Sequence, residues 1–212
     1  MAKIVVFGGT GYTGGHVVRE AVARGHEVVS VSRSAPADPV QGARYEVGDV
    51  VQRAAELVPG AGAVVATLSP RGDTAGRLVE VYGELARLSA AAGARYLQIG
   101  GFSSLRPAPG APRVVEGDVP EEYRAEAQEG EATRVLLAEH APAGLDWLFV
   151  SPAAGYGAFA PGERTGSYRV GGEVALFDAE GGSALSGPDL AIALLDEIET
   201  PAHAREHIGV AY

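Results

Sequence analysis

Short apolar runs alternate along the chain with longer stretches in which apolar side chains recur every three or four positions. Lys3–Phe7 (KIVVF) is β-branched, apolar throughout and followed by glycines, which predicts a buried strand. Gly14–Arg24 carries Val17, Val18, Ala21 and Val22 at helical spacing and is closed by Gly25. Further strands are predicted at Glu27–Ser32, Ala43–Val47 and Ala63–Leu68, with a short helix over Val50–Val58. A long helix over Thr74–Ala92 ends at Gly93, and Arg95–Ile99 (RYLQI) predicts a fifth strand. Gly100–Asp118 holds Pro107, Pro109 and Pro112 and predicts a loop. Pro120–His140 predicts a helix with Asp118 as its N-cap, and Asp146–Val150 a sixth strand stopped by Ser151 and Pro152.

Beyond Pro152 the pattern changes. Ala153–Gly166 is rich in Gly and Ala with scattered aromatics, and Tyr168–Asp178 predicts one or two short strands. Ser186–Glu199 predicts a helix with Ser186 as N-cap and Pro188 in its first turn, and Glu206–Val210 a last strand. Strands that are apolar throughout, alternating with helices, imply a mostly parallel sheet covered on both faces. The expected fold is therefore α/β and doubly wound: one domain over residues 1–212, with 152–185 as a small C-terminal cap on the substrate side. Ligands of such sheets sit at the C-terminal ends of the strands, near the point where strand order reverses.

Composition narrows the partners. The chain has 212 residues, a length suited to one domain. There is no cysteine, which excludes disulfides, thiolate metal sites and a cysteine nucleophile. A net charge of -10 repels nucleic acid on average. No apolar stretch reaches membrane-spanning length, and no charged and apolar leader precedes the first strand, so a cytoplasmic setting and no membrane partner are expected. His203 and His207 lie four apart but lack a third ligand, so no metal is expected. With no heptad or exposed stripe, the chain is expected as a monomer or homodimer.

The first strand runs into Gly8-Gly9-Thr10-Gly11-Tyr12-Thr13-Gly14 and then directly into a helix. Glycines there permit a tight turn, let backbone approach a pyrophosphate and let helix pack on strand. The helix N-terminus adds free N–H groups and the positive end of its dipole. This strand–motif–helix context is what a dinucleotide fingerprint requires. A carboxylate at the end of the second strand would bind the ribose 2′-hydroxyl of NAD. Here that strand ends Ser32-Arg33-Ser34. Arg33 suits a 2′-phosphate held in bidentate fashion, with Ser32 and Ser34 adding hydrogen bonds, which favours NADP over NAD. Asp49, followed by Val50, reads as an adenosine contact, as a helix N-cap, or as both.

The opening VVFGGTGYTGG resembles atypical and extended short-chain dehydrogenase/reductases. The segments Ile99–Leu105 (IGGFSSL), Pro120–Ala127, Asp146–Ala154 and Ala160–Gly172 resemble the NADH-flavin reductase group, a relative of NmrA-like and biliverdin reductase B-type proteins. That resemblance, running from Ile4 to Tyr212, implies a Rossmann-type domain in which Gly8–Gly14 hold the pyrophosphate and Arg33 meets the 2′-phosphate. It implies further that Thr67, Leu68 and Ser69 pass under the riboses, and that Gly100, Gly101 and Ser103, with Ser151, Pro152 and Ala153, border the nicotinamide. The Tyr-x-x-x-Lys pair of the wider superfamily is missing. Tyr123 is followed four positions on by Ala127, and the only lysine is Lys3.

Carbonyl reduction needs a proton at oxygen as hydride arrives, which a tyrosine beside a cation supplies. Reduction of a flavin spreads charge over a conjugated ring and leaves protonation to solvent, so orientation does most of the work. The expected activity is thus NADPH-dependent reduction of a flavin (FMN or FAD as substrate) or another small conjugated acceptor. Ser103 and Tyr123 are candidate proton or hydrogen-bond donors. Phe102, Ser104, Tyr156, Phe159 and Arg164 are candidate acceptor contacts, Arg164 as an anion clamp. Two alternatives stay open: a non-catalytic NADP sensor, and a tailoring carbonyl or alkene reductase of specialised metabolism.

Overall fold

The computed structural model describes residues 1–212 apart from the side chain of Asp73. Eight strands form one sheet in the order β3-β2-β1-β4-β5-β6-β8-β7. They are β1 (Lys3–Phe7), β2 (Glu27–Ser32), β3 (Ala43–Val47), β4 (Ala63–Ala66), β5 (Arg95–Ile99), β6 (Trp147–Pro152), β7 (Arg169–Gly171) and β8 (Glu206–Ala211). All neighbours are parallel except β7, which runs antiparallel to β8. The helices are α1 (Tyr12–Ala23), α2 (Val50–Leu57), α3 (Leu78–Ala92), α4 (Glu121–His140) and α5 (Gly187–Glu199).

The two faces follow from strand periodicity. Val5 and Phe7 point into one core, with Val29, Val64, Tyr96 and Phe149, under α2, α3 and α4. Ile4 and Val6 point into the other, with Val28, Val65, Leu148, Leu190 and Leu194, under α1 and α5. Strand order reverses between β1 and β4, which opens the crevice where ligands of such sheets sit.

Several boundaries differ from the sequence expectations. The long third helix begins at Leu78 and not at Thr74, because Gly72–Thr74 form a 3-10 turn. Its first amides are satisfied from outside: Glu129 of α4 accepts from Gly76 N and Leu78 N (3.0 and 2.8 Å). Helix α4 has Pro120 as its N-cap residue and no side-chain cap, so Asp118 does not cap it. Strand β6 runs through Ser151 and Pro152, which pair with Gly209 and Val210 of β8; a proline is tolerated at such a strand end. Strand β4 stops at Ala66, two residues short of the predicted end. No helix among the described residues is long and apolar enough to cross a membrane.

Candidate functional site

The glycine run forms the turn between β1 and α1. Gly8 N donates to Val31 O, Gly11 N to Gly8 O, and α1 opens at Tyr12 without a side-chain cap. The amides of its first turn therefore have no intrahelical acceptor and face the strand ends. The loop is built for close approach. A Cβ on Gly14 would stand 2.3 Å from Gly8 O and 2.8 Å from Gly9 Cα, and one on Gly9 would stand 2.1 Å from Ser30 Oγ. Thr67 at the end of β4 locks the turn by donating to Phe7 O at 2.9 Å.

Beside this loop lies a cavity of about 170 Å³, lined by Gly8, Thr10, Gly11, Ser32, Arg33, Ser34, Val50, Thr67, Leu68, Ser69 and Thr74. Arg33 is exposed at its mouth, with its guanidinium against Gly72. Among the described residues it has no ion pair and no hydrogen bond, although most other arginines of this acidic chain are paired with a carboxylate. Ser32 Oγ donates to Ser34 O at 2.8 Å, so its proton is already used. Asp49 is the N-cap of α2: its Oδ1 accepts from Val51 N and Gln52 N, both at 3.0 Å. Among the described residues no carboxylate stands at the end of β2. The backbone of Leu68 and Ser69 is held by Tyr82 Oη (2.8 Å) and Thr74 Oγ1 (2.6 Å). A second, wider cavity of about 590 Å³ opens on the other side of the loop, between His16, Arg19, Asp38 and Tyr45.

The residues expected at the nicotinamide end also gather. Gly100 packs so closely on the Phe149 ring that a Cβ would stand 2.1 Å from Cζ. Ser151 is fully buried and donates from Oγ to Gly101 O at 2.8 Å. Residues Phe102–Ser104 make a 3-10 turn in which Ser103 is half-buried and Ser104 buried, with no partner for Ser104 Oγ among the described residues. Phe102 meets Phe177 edge to face, centroids 6.5 Å apart. Ala153 is buried beyond the end of β6.

Several expected roles change. Tyr12 and Thr13 turn their side chains away into the cap: Tyr12 Oη donates to Pro161 O and accepts from Gly187 N, and Thr13 Oγ1 bonds Tyr156 Oη at 2.8 Å. Their contribution to a phosphate is thus the backbone. Tyr156 belongs to that tie and not to an acceptor platform, and burial pushes its hydroxyl above its ordinary range. Arg164 is no free anion clamp, because Nη1 lies 2.6 Å from Glu20 Oε2 on α1. Phe159 is 80% exposed on the cap, and Tyr123 is 57% exposed on the first turn of α4, its hydroxyl without a hydrogen bond among the described residues. Neither is built into the crevice.

His207 was weighed in the sequence only as a metal ligand with His203. The structure separates the pair: His203 Nδ1 bonds Glu197 at 2.5 Å, while His207 on β8 reaches Ser151 Oγ through Nε2 at 2.9 Å. Burial and the nearby Arg113 and Arg134, opposed by Glu173, lower its pKa from 6.5 to about 3, so the imidazole is neutral at physiological pH. The available signal was a lone polar aromatic in an otherwise small and apolar strand, His207 through Ala211.

The model of a family described as NAD(P)H-binding matches residues 8–201. The chain is 34% identical to the uncharacterized protein YwnB of Bacillus subtilis, over 98% of this chain and 97% of that one. Among solved structures it is similar to a "putative exported protein" of Burkholderia pseudomallei (33% identity, TM-score 0.86, 100% of both chains). It is similar as well to SP1627 of Streptococcus pneumoniae, described as "a putative NADH-flavin reductase" (29% identity, TM-score 0.84, covering 100% and 99%). A "putative epimerase" of Bacteroides thetaiotaomicron is comparably near (32% identity, TM-score 0.86, covering 99% and 96%). The match starts at the first glycine of the β1–α1 turn and spans the crevice and both helical layers, and the chain belongs to the NAD(P)H-binding family.

Proposed function

We propose that this protein is an NADPH-dependent reductase that passes hydride to a flavin or another small conjugated acceptor. The observation that carries this reading is the place of the only lysine. Lys3 opens β1, at the end of the sheet opposite the glycine loop, and its Nζ donates to Leu57 O (2.6 Å) and Pro59 O (3.1 Å). No lysine is left to hold a ribose or to assist a tyrosine as proton donor, and the Tyr123 hydroxyl stands exposed with no partner among the described residues. Chemistry that requires a protein proton at a carbonyl oxygen, or the acid–base work of an epimerase, is poorly served.

When bound, NADPH supplies the hydride. The chain's own residues bind and orient. Backbone amides of the glycine loop and the first turn of α1 receive the pyrophosphate. Arg33, which has no ion pair among the described residues and lines the turn's cavity, receives the 2′-phosphate. The Gly100–Ser103 turn, backed by buried Ser151, holds the far end, and Phe102 with Phe177 offers an aromatic face beside it for a flat acceptor.

The test mixes purified protein with NADPH and FMN or riboflavin and follows nicotinamide absorbance, with NADH in parallel. Oxidation above the spontaneous rate that favours NADPH supports the proposal. Tight NADPH binding without turnover on any acceptor replaces it with a nucleotide sensor.

A further inference from the structure

Two adjacent glycines, Gly100 and Gly101, form the backbone at the nicotinamide end. Such a pair has wide conformational freedom unless something fixes it. The fold fixes it from below with a hydrogen-bond chain that runs in only one direction. Gly101 O can only accept, so the single proton of Ser151 Oγ goes to it, at 2.8 Å. Ser151 Oγ must then accept from His207 Nε2, at 2.9 Å. That assignment makes His207 the Nε2–H tautomer and leaves Nδ1 bare. Nδ1 faces Arg113 Nη1 at 3.5 Å, and a guanidinium can only donate.

Each member is itself held. Arg113 is 5% exposed, gives Nη1 to Ser104 O at 2.5 Å, and pairs with Glu173 through Nη2. Phe149 stands edge-on to the His207 ring, centroids 5.1 Å apart and planes at 87°, and is the same ring that fills the space above Gly100. Strands β6 and β8 and the loop carrying Arg113 thus converge on one peptide of the site.

We propose that His207 is a positioning residue which, through Ser151, sets the Gly100–Gly101 backbone against the nicotinamide end of the cofactor. The inference rests on the reading of this crevice as an NADP site. It concerns orientation of the nicotinamide and not recognition of the adenosine half, which lies across the crevice at Arg33.

The test compares wild type, His207→Gln and His207→Leu for the dissociation constants of NADP+ and of 2′-phospho-ADP-ribose, which lacks the nicotinamide. A glutamine amide carries an N–H donor to nearly the place of Nε2; a leucine fills the space without one. His207→Leu is expected to weaken NADP+ about tenfold, the size of one lost hydrogen bond, while 2′-phospho-ADP-ribose is unchanged and His207→Gln stays near wild type. Equal losses for both ligands, no loss for either, or a glutamine variant as weak as the leucine variant would overturn the proposal. Should His207→Leu fail to fold, Ser151→Ala breaks the same chain one step nearer the site and carries the same two expectations. Wild-type protein that binds neither ligand overturns the NADP reading itself, an outcome distinct from a wild type that binds both and variants that behave alike.

Discussion

Burying a neutral histidine makes stability depend on acid in a way that can be computed from the site. His207 sits at about 3 when folded, against 6.5 when free, because burial and the Arg113 and Arg134 guanidiniums disfavour the imidazolium more than Glu173 favours it. The folded pKa is depressed, so the unfolded chain binds the proton first as pH falls. The stabilisation is complete above about pH 6.5 and is lost progressively down to the folded value near 3. Between about pH 6.5 and pH 4.5 the loss accrues at about 1.4 kcal/mol per unit, or roughly 2–3 kcal/mol at pH 4.5. His207→Gln keeps the hydrogen bond to Ser151 and cannot titrate. Urea unfolding of both proteins at about pH 7 and about pH 4.5 gives the double difference, in which the other carboxylates largely cancel. The variant is expected to lose about 2–3 kcal/mol less than wild type over that step. Equal losses would mean that the fold does not disfavour the imidazolium, and with it the bare Nδ1 facing Arg113 would fall.

Other perturbations follow from the same packing. Gly14→Ala places a methyl 2.3 Å from the Gly8 carbonyl, a backbone atom that cannot swing aside, so the turn should open and nucleotide binding be lost in titration calorimetry. Glu129→Ala removes the acceptor of two amides at the start of α3 and should cost about 1–3 kcal/mol in urea unfolding. Asp189, fully buried, is opposed by burial, but hydrogen bonds from Tyr212, the Thr165 and Gly166 amides and Ser186 outweigh it and hold its carboxyl at about 2. Its folded pKa is depressed, so its contribution is full above about pH 4 and disappears as pH falls through about 2. Asp189→Asn should therefore destabilise near neutral pH and converge with wild type toward pH 2 in thermal melts.

The sheet and the glycine turn were legible because their signals are local. KIVVF followed by glycines, and the valines of EVVSVS, specify buried strands whatever surrounds them. Boundaries set by distant partners were not. Nothing in residues 74–78 announces that Glu129 will start α3 at Leu78, and Ser151-Pro152 look like a strand stop until β8 lies alongside. At the site, Gly8–Gly14 form the β1–α1 turn, and Arg33, with no ion pair among the described residues, lines the cavity beside it. Side-chain roles for Tyr156 and Arg164 were misjudged because their partners, Thr13 and Glu20, lie more than a hundred residues away. His207 was hidden for the same reason: its meaning lies in Ser151 and Arg113, which only the folded sheet brings beside it.

Dissociation constants for NADPH and NADH on wild type and Arg33→Ala test whether Arg33 makes this crevice a site for a 2′-phosphorylated nucleotide. Wild type is expected to prefer NADPH, and Arg33→Ala to weaken NADPH about 10–100-fold, the value of a charge-assisted contact, while leaving NADH unchanged. Equal affinity of wild type for the two nucleotides, or an equal loss for both in the variant, would contradict it.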